Sequence, residues 1–364
     1  MIEIIGKYNT AIAFLDELEK TASSQIIELC NQEFTQDAKI RIMPDAHAGA
    51  GCVIGTTMTI SNKVVPNFVG VDISCGILAV KIDIKDVNFG KLDKSIRKNI
   101  PSGFEVHKHK SDEFNLQELK CFEQLKNVKH LECSLGTLGG GNHFIEIGKD
   151  TDNNIWLLVH SGSRNLGKQT AEIYQHKAQK LLKDTDVPKE LAYLDNLNLH
   201  DYLSDMIFLQ KWASRNREAM VEKILIEMRW TALEKIETVH NYIDLNNMIL
   251  RKGAVSSQKD EMLVIPINMR DGTLLCKGKG NPDWNYSAPH GAGRLMSRHQ
   301  AFKKLSMEDF KKTMQGIYST TVCNKTLDEA PMAYKPIKDL LKHIGPSVEV
   351  VGKMVPIYNF KAIE

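Results

Sequence analysis

The sequence predicts a fold that mixes helices with sheets, of either the α+β or the α/β class, and three observations predict it. Residues 204–238 carry apolar side chains at helical intervals, which indicates one or two long helices. Short β-rich runs alternate with Gly-rich turns elsewhere along the chain. No low-complexity linker, Pro-rich hinge or internal repeat separates these segments, so we expect a single domain over residues 1–364.

The strand predictions rest on seven short runs whose residues favour β-structure. In chain order these runs are 39–44, 52–60, 67–73, 76–84, 143–147, 155–160 and 262–267. The helix prediction rests on apolar residues that recur on one face, namely Met206, Leu209, Trp212, Met220, Ile224 and Met228. These patterns indicate both element types without choosing between the two fold classes.

The chain is nearly neutral overall and locally basic. It has 364 residues with 47 Lys plus Arg and 45 Asp plus Glu, a formal net charge of +2. This balance excludes a histone-like polycation, so any nucleic-acid contact has to come from local patches. One basic stretch surrounds His290, because residues 251–312 contain twelve Lys or Arg and six Asp or Glu.

Cysteine usage and the N-terminal residues predict a cytoplasmic protein. The seven cysteines are odd in number and scattered, without the spacing of a disulfide framework. The N-terminal residues lack a basic segment followed by an apolar stretch, and no run of about 18 apolar residues occurs. We therefore expect a reducing compartment, no export and no membrane insertion.

Five residues have the side chains of metal ligands. Asp72 and Cys75 are separated by two residues, so one turn can aim both side chains at one point. His143, His160 and His240 follow in three further segments, and a thiolate can bridge two ions. Together the five could hold two metals, and their types suit zinc at least as readily as manganese. For each residue alone, a buried cysteine or a hydrogen-bonded histidine without a metal remains the alternative.

His290 stands directly before a Gly-Ala-Gly turn, with Arg294 and Arg298 beyond it. An imidazole in this setting can attack phosphorus while guanidinium and backbone N–H groups hold an anionic target. Other Gly-rich turns adjoin His143 and His160, and such turns can cradle phosphate. From the residues alone, His290 could also be a general base, and a turn residue without a chemical role is the simplest interpretation.

Nine segments together resemble the RtcB family of RNA ligases, and they follow one another in the family's order. They are MPDAHAG (43–49), GVDISCG (70–76), GTLGGGNHFIE (136–146), HSGSRNLG (160–167), HNY (240–242), RKGA (251–254), GKGNP (278–282), HGAGRLMSR (290–298) and AYK (333–335). The resemblance covers most of the chain, with residues 83–130 the least recognisable. It implies the α+β class, as a single RtcB-like domain in which β-sheets line a dinuclear metal cleft, with helices outside.

The resemblance also implies an activity. The protein would be an RNA ligase that depends on GTP and Mn²⁺ and joins an RNA 3′-phosphate or 2′,3′-cyclic phosphate end to a 5′-hydroxyl end. His290 would attack the α-phosphorus of GTP to form a guanylylated histidine. GMP would pass to the RNA 3′-phosphate, and the 5′-hydroxyl would displace it. A cyclic end would first be opened by hydrolysis.

Roles for individual residues follow from the matched motifs. Two Mn²⁺ ions would share Cys75, with Asp72 and His143 at the first ion and His160 and His240 at the second. The residues implied at the GTP site are Asn142, Glu146, Arg164, Lys252, Arg294, Tyr334 and Lys361. Of these, Tyr334 and Lys361 would lie beside the guanine, and the arginines and Lys252 would face phosphates. Asp45 and His47 match the early PDxH segment without an assigned role.

Departures from the family pattern suggest a short, divergent paralogue that repairs cleaved RNA. The turn that usually reads P-G-S-M-G is PINMRDG at 266–272, which replaces Ser and Gly donors near the nucleotide. Leu250 replaces a histidine before RKGA, and the C-terminal residues lack the usual Lys-Gly ending. Two alternatives follow, a metal-dependent 2′,3′-cyclic phosphodiesterase and an RNA-end-binding protein without ligation. An activating partner protein is left open.

Overall fold

Helices and strands follow one another irregularly along residues 1–362, the part of the chain that this computed structural model describes. The helices are α1 (Lys20–Cys30), α2 (Phe89–Asn99), α3 (Val128–Glu132), α4 (Arg164–Leu181), α5 (Asn196–Met228), α6 (Arg298–Lys304), α7 (Met307–Thr313) and α8 (Ile337–Ile344). The strands are β1 (Ile2–Ile5), β2 (Thr10–Ala13), β3 (Ile40–His47), β4 (Ile54–Thr59), β5 (Lys63–Val64), β6 (Gly76–Ile82), β7 (Phe144–Lys149), β8 (Ile155–Ser161), β9 (Leu194–Asp195), β10 (Ala232–Val239), β11 (Tyr242–Asp244), β12 (Ile249–Lys252), β13 (Ala254–Ser256), β14 (Met262–Asn268), β15 (Gly272–Gly278), β16 (Ser287–Pro289) and β17 (Val348–Lys361).

The larger sheet contains seven strands in the order β10-β6-β8-β7-β17-β15-β14, and its neighbouring pairs are antiparallel. Its central strands β6, β7 and β8 are buried because apolar clusters cover both faces. On one face, α2 and α5 pack against side chains that include Val80, Leu157 and Val159. Burial on both faces explains why these strands read as near-continuous apolar runs in the sequence.

The second sheet contains six strands in the order β1-β2-β3-β4-β12-β11, antiparallel except for β2 with β3. It shares an apolar cluster with α1, α4 and the first half of α5. Two small sheets pair β13 with β16 and β5 with β9. The mostly antiparallel pairing, with helices packed on the outside, confirms the predicted α+β class.

Six of the seven predicted strands are confirmed, and the strand predicted at 67–73 is wrong. The chain instead forms a short 3₁₀ turn at Pro66–Phe68 and then a loop. Pro66 lacks a backbone donor, and Gly70 takes a φ of +86°, so a regular strand cannot run through this segment. The loop that results carries Asp72.

The helix predicted over 204–238 is confirmed only as far as residue 228. Helix α5 ends at Met228, where Arg229 takes a left-handed φ of 60°, and residues 232–239 form β10. Ile236 and Thr238 are buried at alternate positions of β10. Pairing with β6 therefore outweighs the apparent helical period of this segment.

No helix among residues 1–362 has both the length and the apolar character that are needed to cross a membrane. The single domain predicted over residues 1–364 stays a prediction, and its last two residues lie outside the described part of the chain.

Candidate metal centre and adjoining cavity

Five side chains meet at one edge of the seven-stranded sheet, and they are the five predicted metal ligands. Cys75 Sγ lies 3.4 Å from Nε2 of His143 and 3.2 Å from Nε2 of His160. Asp72 Oδ2 lies 2.9 Å from the same nitrogen of His143. Ligand atoms lie within 4.8 Å of one another in two groups, Asp72–Cys75–His143 and Cys75–His160–His240. Cys75 belongs to both groups.

Strand pairing brings these ligands together from distant parts of the chain. Four of them sit at the ends of neighbouring strands, with Cys75 before β6, His143 before β7, His160 near the end of β8 and His240 after β10. The backbone N–H of His240 donates to the backbone oxygen of Cys75 at 2.7 Å. Residue 162 has to be glycine, because a Cβ there would lie 2.2 Å from Asp72 Oδ1.

A buried arginine that the sequence interpretation missed holds the backbone of two segments that carry predicted metal ligands. Arg217 lies on α5, and its guanidinium donates to the backbone oxygens of Ser74 and Ser161, each at 2.8 Å. An ion pair with Glu237 at 2.8 Å balances its charge. The sequence around Arg217 gives no local signal of this role, because the contact depends on how the helix packs against the sheet.

Backbone oxygens set the orientation of two imidazoles. His143 Nδ1 lies 2.8 Å from Leu138 O, and His160 Nδ1 lies 3.3 Å from Asn142 O. Because a carbonyl oxygen can only accept, Nδ1 carries a proton in each ring, so Nε2 is the atom of each ring that can bind a ligand. Both Nε2 atoms face Cys75.

The protonation states also suit a cation. Burial lowers the pKa of His160 and of His240 well below the ordinary value, so both imidazoles are neutral at neutral pH. Burial alone would raise the pKa of Asp72, but the charge and hydrogen bond of His143 outweigh it and hold that pKa at about 2. Burial raises the pKa of the Cys75 thiol well above its ordinary value, so a cation has to displace its proton. These ligands fit a divalent cation such as Mn²⁺ or Zn²⁺.

His290 lies beside the second ligand group and against a buried carboxylate. Its ring centroid is 4.9 Å from that of His240, and its Nδ1 is 2.7 Å from Asp45 Oδ2. The backbone N–H of His290 donates to the same oxygen at 3.2 Å. Gly293, with a φ of +76°, packs so closely on Asp45 that a Cβ would lie 2.6 Å from its backbone oxygen. Since Asp45 faces Nδ1, Nε2 is the nitrogen of His290 that can face a ligand.

A cavity of about 330 Å³ opens beside His290 and His240. Five of the residues predicted at a nucleotide site line this cavity, namely Asn142, Glu146, Arg294, Tyr334 and Lys361. The cavity is therefore continuous with the side of His290 that adjoins the second ligand group.

Two residues predicted at the nucleotide site do not line this cavity. Lys252 is buried, donates from Nζ to Asn67 O at 2.8 Å and lines a second cavity, on the side of Asp72. Arg164 lies behind the loop of residues 136–143, where its guanidinium donates to Gly103 O at 3.2 Å. Phosphate contacts by Lys252 and Arg164 stay predictions.

The sequence of this chain is similar to those of known proteins along most of its length. A family model described as tRNA-splicing ligase RtcB matches residues 25–130 and 120–362. The chain belongs to the RtcB family. RNA-splicing ligase RtcB from Escherichia coli strain K12 is 31% identical, over 92% of this chain and 92% of that protein. A more distant relative, tRNA-splicing ligase RtcB from Nanoarchaeum equitans, is 25% identical over 88% of this chain and 87% of that protein.

In this RtcB-family chain, Glu329 organises one end of the cavity, and the sequence interpretation missed it. Its carboxylate accepts from Tyr334 Oη at 2.6 Å, from Lys361 Nζ at 2.9 Å and from Arg294 Nη1 at 3.2 Å. Burial alone would raise the pKa of Glu329, but the charges of Lys361 and Arg298 outweigh it and lower that pKa to about 2. Glu329 lies five residues before Tyr334 of the AYK motif, and this closeness in sequence could have identified it as a candidate site residue.

The altered turn of this RtcB-family chain closes on itself. Asn268 Oδ1 accepts from the backbone N–H groups of Arg270 and Asp271, at 3.0 and 2.8 Å. The Arg270 guanidinium is half exposed and pairs with Asp271 at 2.8 Å. Leu250, the other replacement, is buried in the apolar cluster of the six-stranded sheet. The charge of Arg270 is therefore neutralised within the turn. The residues of this turn that border the cavity are Pro266, Ile267, Asn268, Met269 and Gly272.

Part of the positive charge in the basic stretch of 251–312 is neutralised by ion pairs. Arg251 is fully buried and pairs with Asp244 at 3.1 Å, and Lys277 pairs with Asp260 at 2.8 Å. Four other cations are exposed on α6 and α7, namely Lys303, Lys304, Lys311 and Lys312. A count of Lys and Arg along the sequence therefore overestimates the free positive charge, because some of these cations form ion pairs within the fold.

Proposed function

We propose that the protein is an RNA ligase that uses GTP and Mn²⁺ to join an RNA 3′-phosphate or 2′,3′-cyclic phosphate end to a 5′-hydroxyl end. The observation that carries this proposal is the position of His290, which borders both the second ligand group and the 330 Å³ cavity. Relatives named RNA-splicing and tRNA-splicing ligases support RNA as the substrate. A cytoplasmic location and a role in RNA repair belong to the same proposal.

The first step transfers a nucleotide to His290. Its Nε2 attacks the α-phosphorus of GTP, so that a nitrogen–phosphorus bond forms and the bond to pyrophosphate breaks. The carboxylate of Asp45, 2.7 Å from Nδ1, stabilises the positive charge that develops on the ring. The product of this step is a guanylylated histidine.

Two further transfers complete the reaction. The RNA 3′-phosphate attacks the phosphorus on His290 and takes GMP, which restores the free imidazole. The 5′-hydroxyl then attacks the activated 3′-phosphate, so that a phosphodiester bond forms and GMP leaves. A 2′,3′-cyclic phosphate is hydrolysed to the 3′-phosphate before these transfers.

The two ligand groups are the places where Mn²⁺ would bind. Cys75 would be shared, with Asp72 and His143 on one side and His160 and His240 on the other. Bound ions supply Lewis-acid polarisation of phosphate oxygens. The Asp72 carboxylate and the neutral imidazoles of His160 and His240 suit a cation, whereas the Cys75 thiol has to lose its proton to bind one.

A ligation assay with the purified protein tests the proposal. One RNA strand ends in a 3′-phosphate or a 2′,3′-cyclic phosphate, and the other begins with a 5′-hydroxyl. We expect sealed product only when GTP and Mn²⁺ are both present. Opening of the cyclic end without GTP dependence or sealing would contradict the ligase and indicate a phosphodiesterase. Binding of RNA ends without any reaction would indicate the end-binding alternative.

Guanosine binding is expected to weaken as the pH falls below about 8. Burial raises the pKa of Glu146 to about 8, against a hydrogen bond from Asn359 and the charge of Lys361. Guanine N–H groups need the carboxylate as an acceptor, so protonation of Glu146 opposes binding, by up to about tenfold per pH unit below that pKa. Calorimetric titration with guanosine in metal-free buffer, from about pH 6 to about pH 8.5, measures the effect.

The control for this pH dependence is Glu146→Gln, which cannot titrate. Its guanosine affinity should be the same across the range, because a glutamine side chain neither gains nor loses a proton there. A wild-type affinity that does not change with pH would contradict the role of Glu146.

A further inference from the structure

Four side chains from two paired strands line one end of the cavity. Strands β7 and β17 are antiparallel neighbours, in which Asn359 is opposite Glu146 and Lys361 is opposite Phe144. Because side chains alternate along a strand, these four project from the same face of the sheet. All four border the cavity, and Asn359 and Glu146 are 1% and 2% exposed.

Two acceptor atoms at this end have no hydrogen-bond partner among residues 1–362. Asn359 Nδ2 donates to Glu146 Oε2 at 2.8 Å, and this bond fixes which side of the amide carries the oxygen. Asn359 Oδ1 and Glu146 Oε1 are then left as buried acceptors without a protein donor. Because an unsatisfied buried acceptor is unfavourable, two of them side by side indicate a ligand that supplies two donors.

A purine with a 6-oxo and a 2-amino group has the matching edge. Guanine presents N1–H and an exocyclic N2–H side by side, next to the O6 acceptor. Adenine presents an acceptor at N1, which would face the Glu146 carboxylate. Lys361 supplies an ammonium group at the same end, 5.2 Å over the ring of Phe144, where it can donate to O6. Two acceptors and one donor therefore fit guanine better than adenine.

We propose that Asn359 determines nucleotide specificity by accepting a hydrogen bond from the 2-amino group of guanine, beside the N1–H that the proposed function assigns to Glu146. This inference rests on the proposed function, because it takes the cavity to hold the base of GTP. Asn359 is two residues before Lys361 on the same face of β17, so both residues reach the base from one strand. In this arrangement, Asn359 contacts the 2-amino group, whereas Glu146 and Lys361 contact other atoms of the base.

Equilibrium binding of GMP and IMP tests the proposal, since the two nucleotides differ only in the 2-amino group. Neither carries pyrophosphate, so the covalent step cannot interfere. The wild-type protein should bind GMP roughly 5- to 100-fold more tightly than IMP, the range expected when a buried acceptor loses its donor. In Asn359→Leu, which has a similar size and no acceptor, the preference should fall to about one.

Glu146→Gln is the comparator, because both nucleotides carry N1–H. It should weaken GMP and IMP together and keep the preference for GMP. A simple positioning role for Asn359, through Glu146 alone, predicts the same pattern in Asn359→Leu as in Glu146→Gln. That pattern would overturn the inference.

The wild-type protein also provides a test that needs no variant. Equal affinity for GMP and IMP would overturn the specificity role of Asn359, and the ligation assay would decide the proposed function separately. Asn359→Ala provides a second variant where Asn359→Leu does not fold, and a preference for GMP that persists in it would also overturn the inference.

Discussion

Replacing His290 with alanine is expected to abolish the transfer of guanylate from α-labelled GTP to the protein and, with it, RNA sealing. The first step of the proposed reaction forms its covalent bond on this ring, and removal of such a nucleophile lowers the rate roughly 10⁴-fold or more. His240 is 4.9 Å away between ring centroids but belongs to a ligand group, so it cannot replace the nucleophile. Denaturing gels of the protein after incubation with labelled GTP and Mn²⁺ measure the effect.

Three comparisons make this experiment specific. His290 lies outside both ligand groups, so His290→Ala should bind as much Mn²⁺ as the wild type. Asp45→Asn keeps the nucleophile but removes the charge at 2.7 Å, so a loss of about 10- to 100-fold is expected. His200→Ala, at an exposed position of α5, is the matched control and should be labelled normally. Label that survives His290→Ala would refute the covalent mechanism.

Replacing Cys75 with serine is expected to remove both metal ions and to abolish guanylate transfer. Cys75 is the ligand that the two groups share, so its loss affects both sites at once. A serine hydroxyl stays protonated at neutral pH and is a poor substitute for a thiolate, so we expect at least about 100-fold weaker Mn²⁺ binding. Metal analysis of the protein after dialysis against Mn²⁺, at several concentrations, measures occupancy.

His143→Ala distinguishes a shared ligand from an ordinary one. His143 belongs to the first group alone, so this variant should lose one ion and keep the other. Cys323→Ser, at a partly exposed cysteine outside both groups, should keep both ions. Two tightly bound ions in Cys75→Ser would contradict a bridging role for this residue.

Local patterns predict much of this fold, since burial on both faces makes a strand such as β8 apolar over residues 155–159. Strand β10 lies within the stretch 204–238 that the apolar spacing predicts as helix, whereas its strand conformation depends on pairing with β6. Its neighbour α5 was predicted correctly because its own periodicity is sufficient to define it. Segments whose conformation depends on distant partners are therefore the ones that local patterns predict poorly.

In the candidate site, too, local sequence predicts some features, while others depend on contacts between distant segments. Asp72, Cys75 and the three histidines could be selected from their chemistry and from the RtcB motifs. The contact of Asp45 with His290 joins residues 245 positions apart, and the contact of Arg217 with Ser74 joins a helix to a loop. Such contacts arise only when the sheets and helices pack, so no spacing in the sequence reveals them.

The place of β17 in the larger sheet has a consequence for synthesis of the protein. This strand lies between β7 and β15, although both of those strands are translated well before it. A nascent chain that has not reached residue 348 therefore holds two halves of a sheet without the strand that joins them. Asn359 and Lys361 also come from this strand, so the cavity gains these two lining residues late in translation. Translation that terminates before this strand therefore yields a fragment whose cavity lacks both side chains.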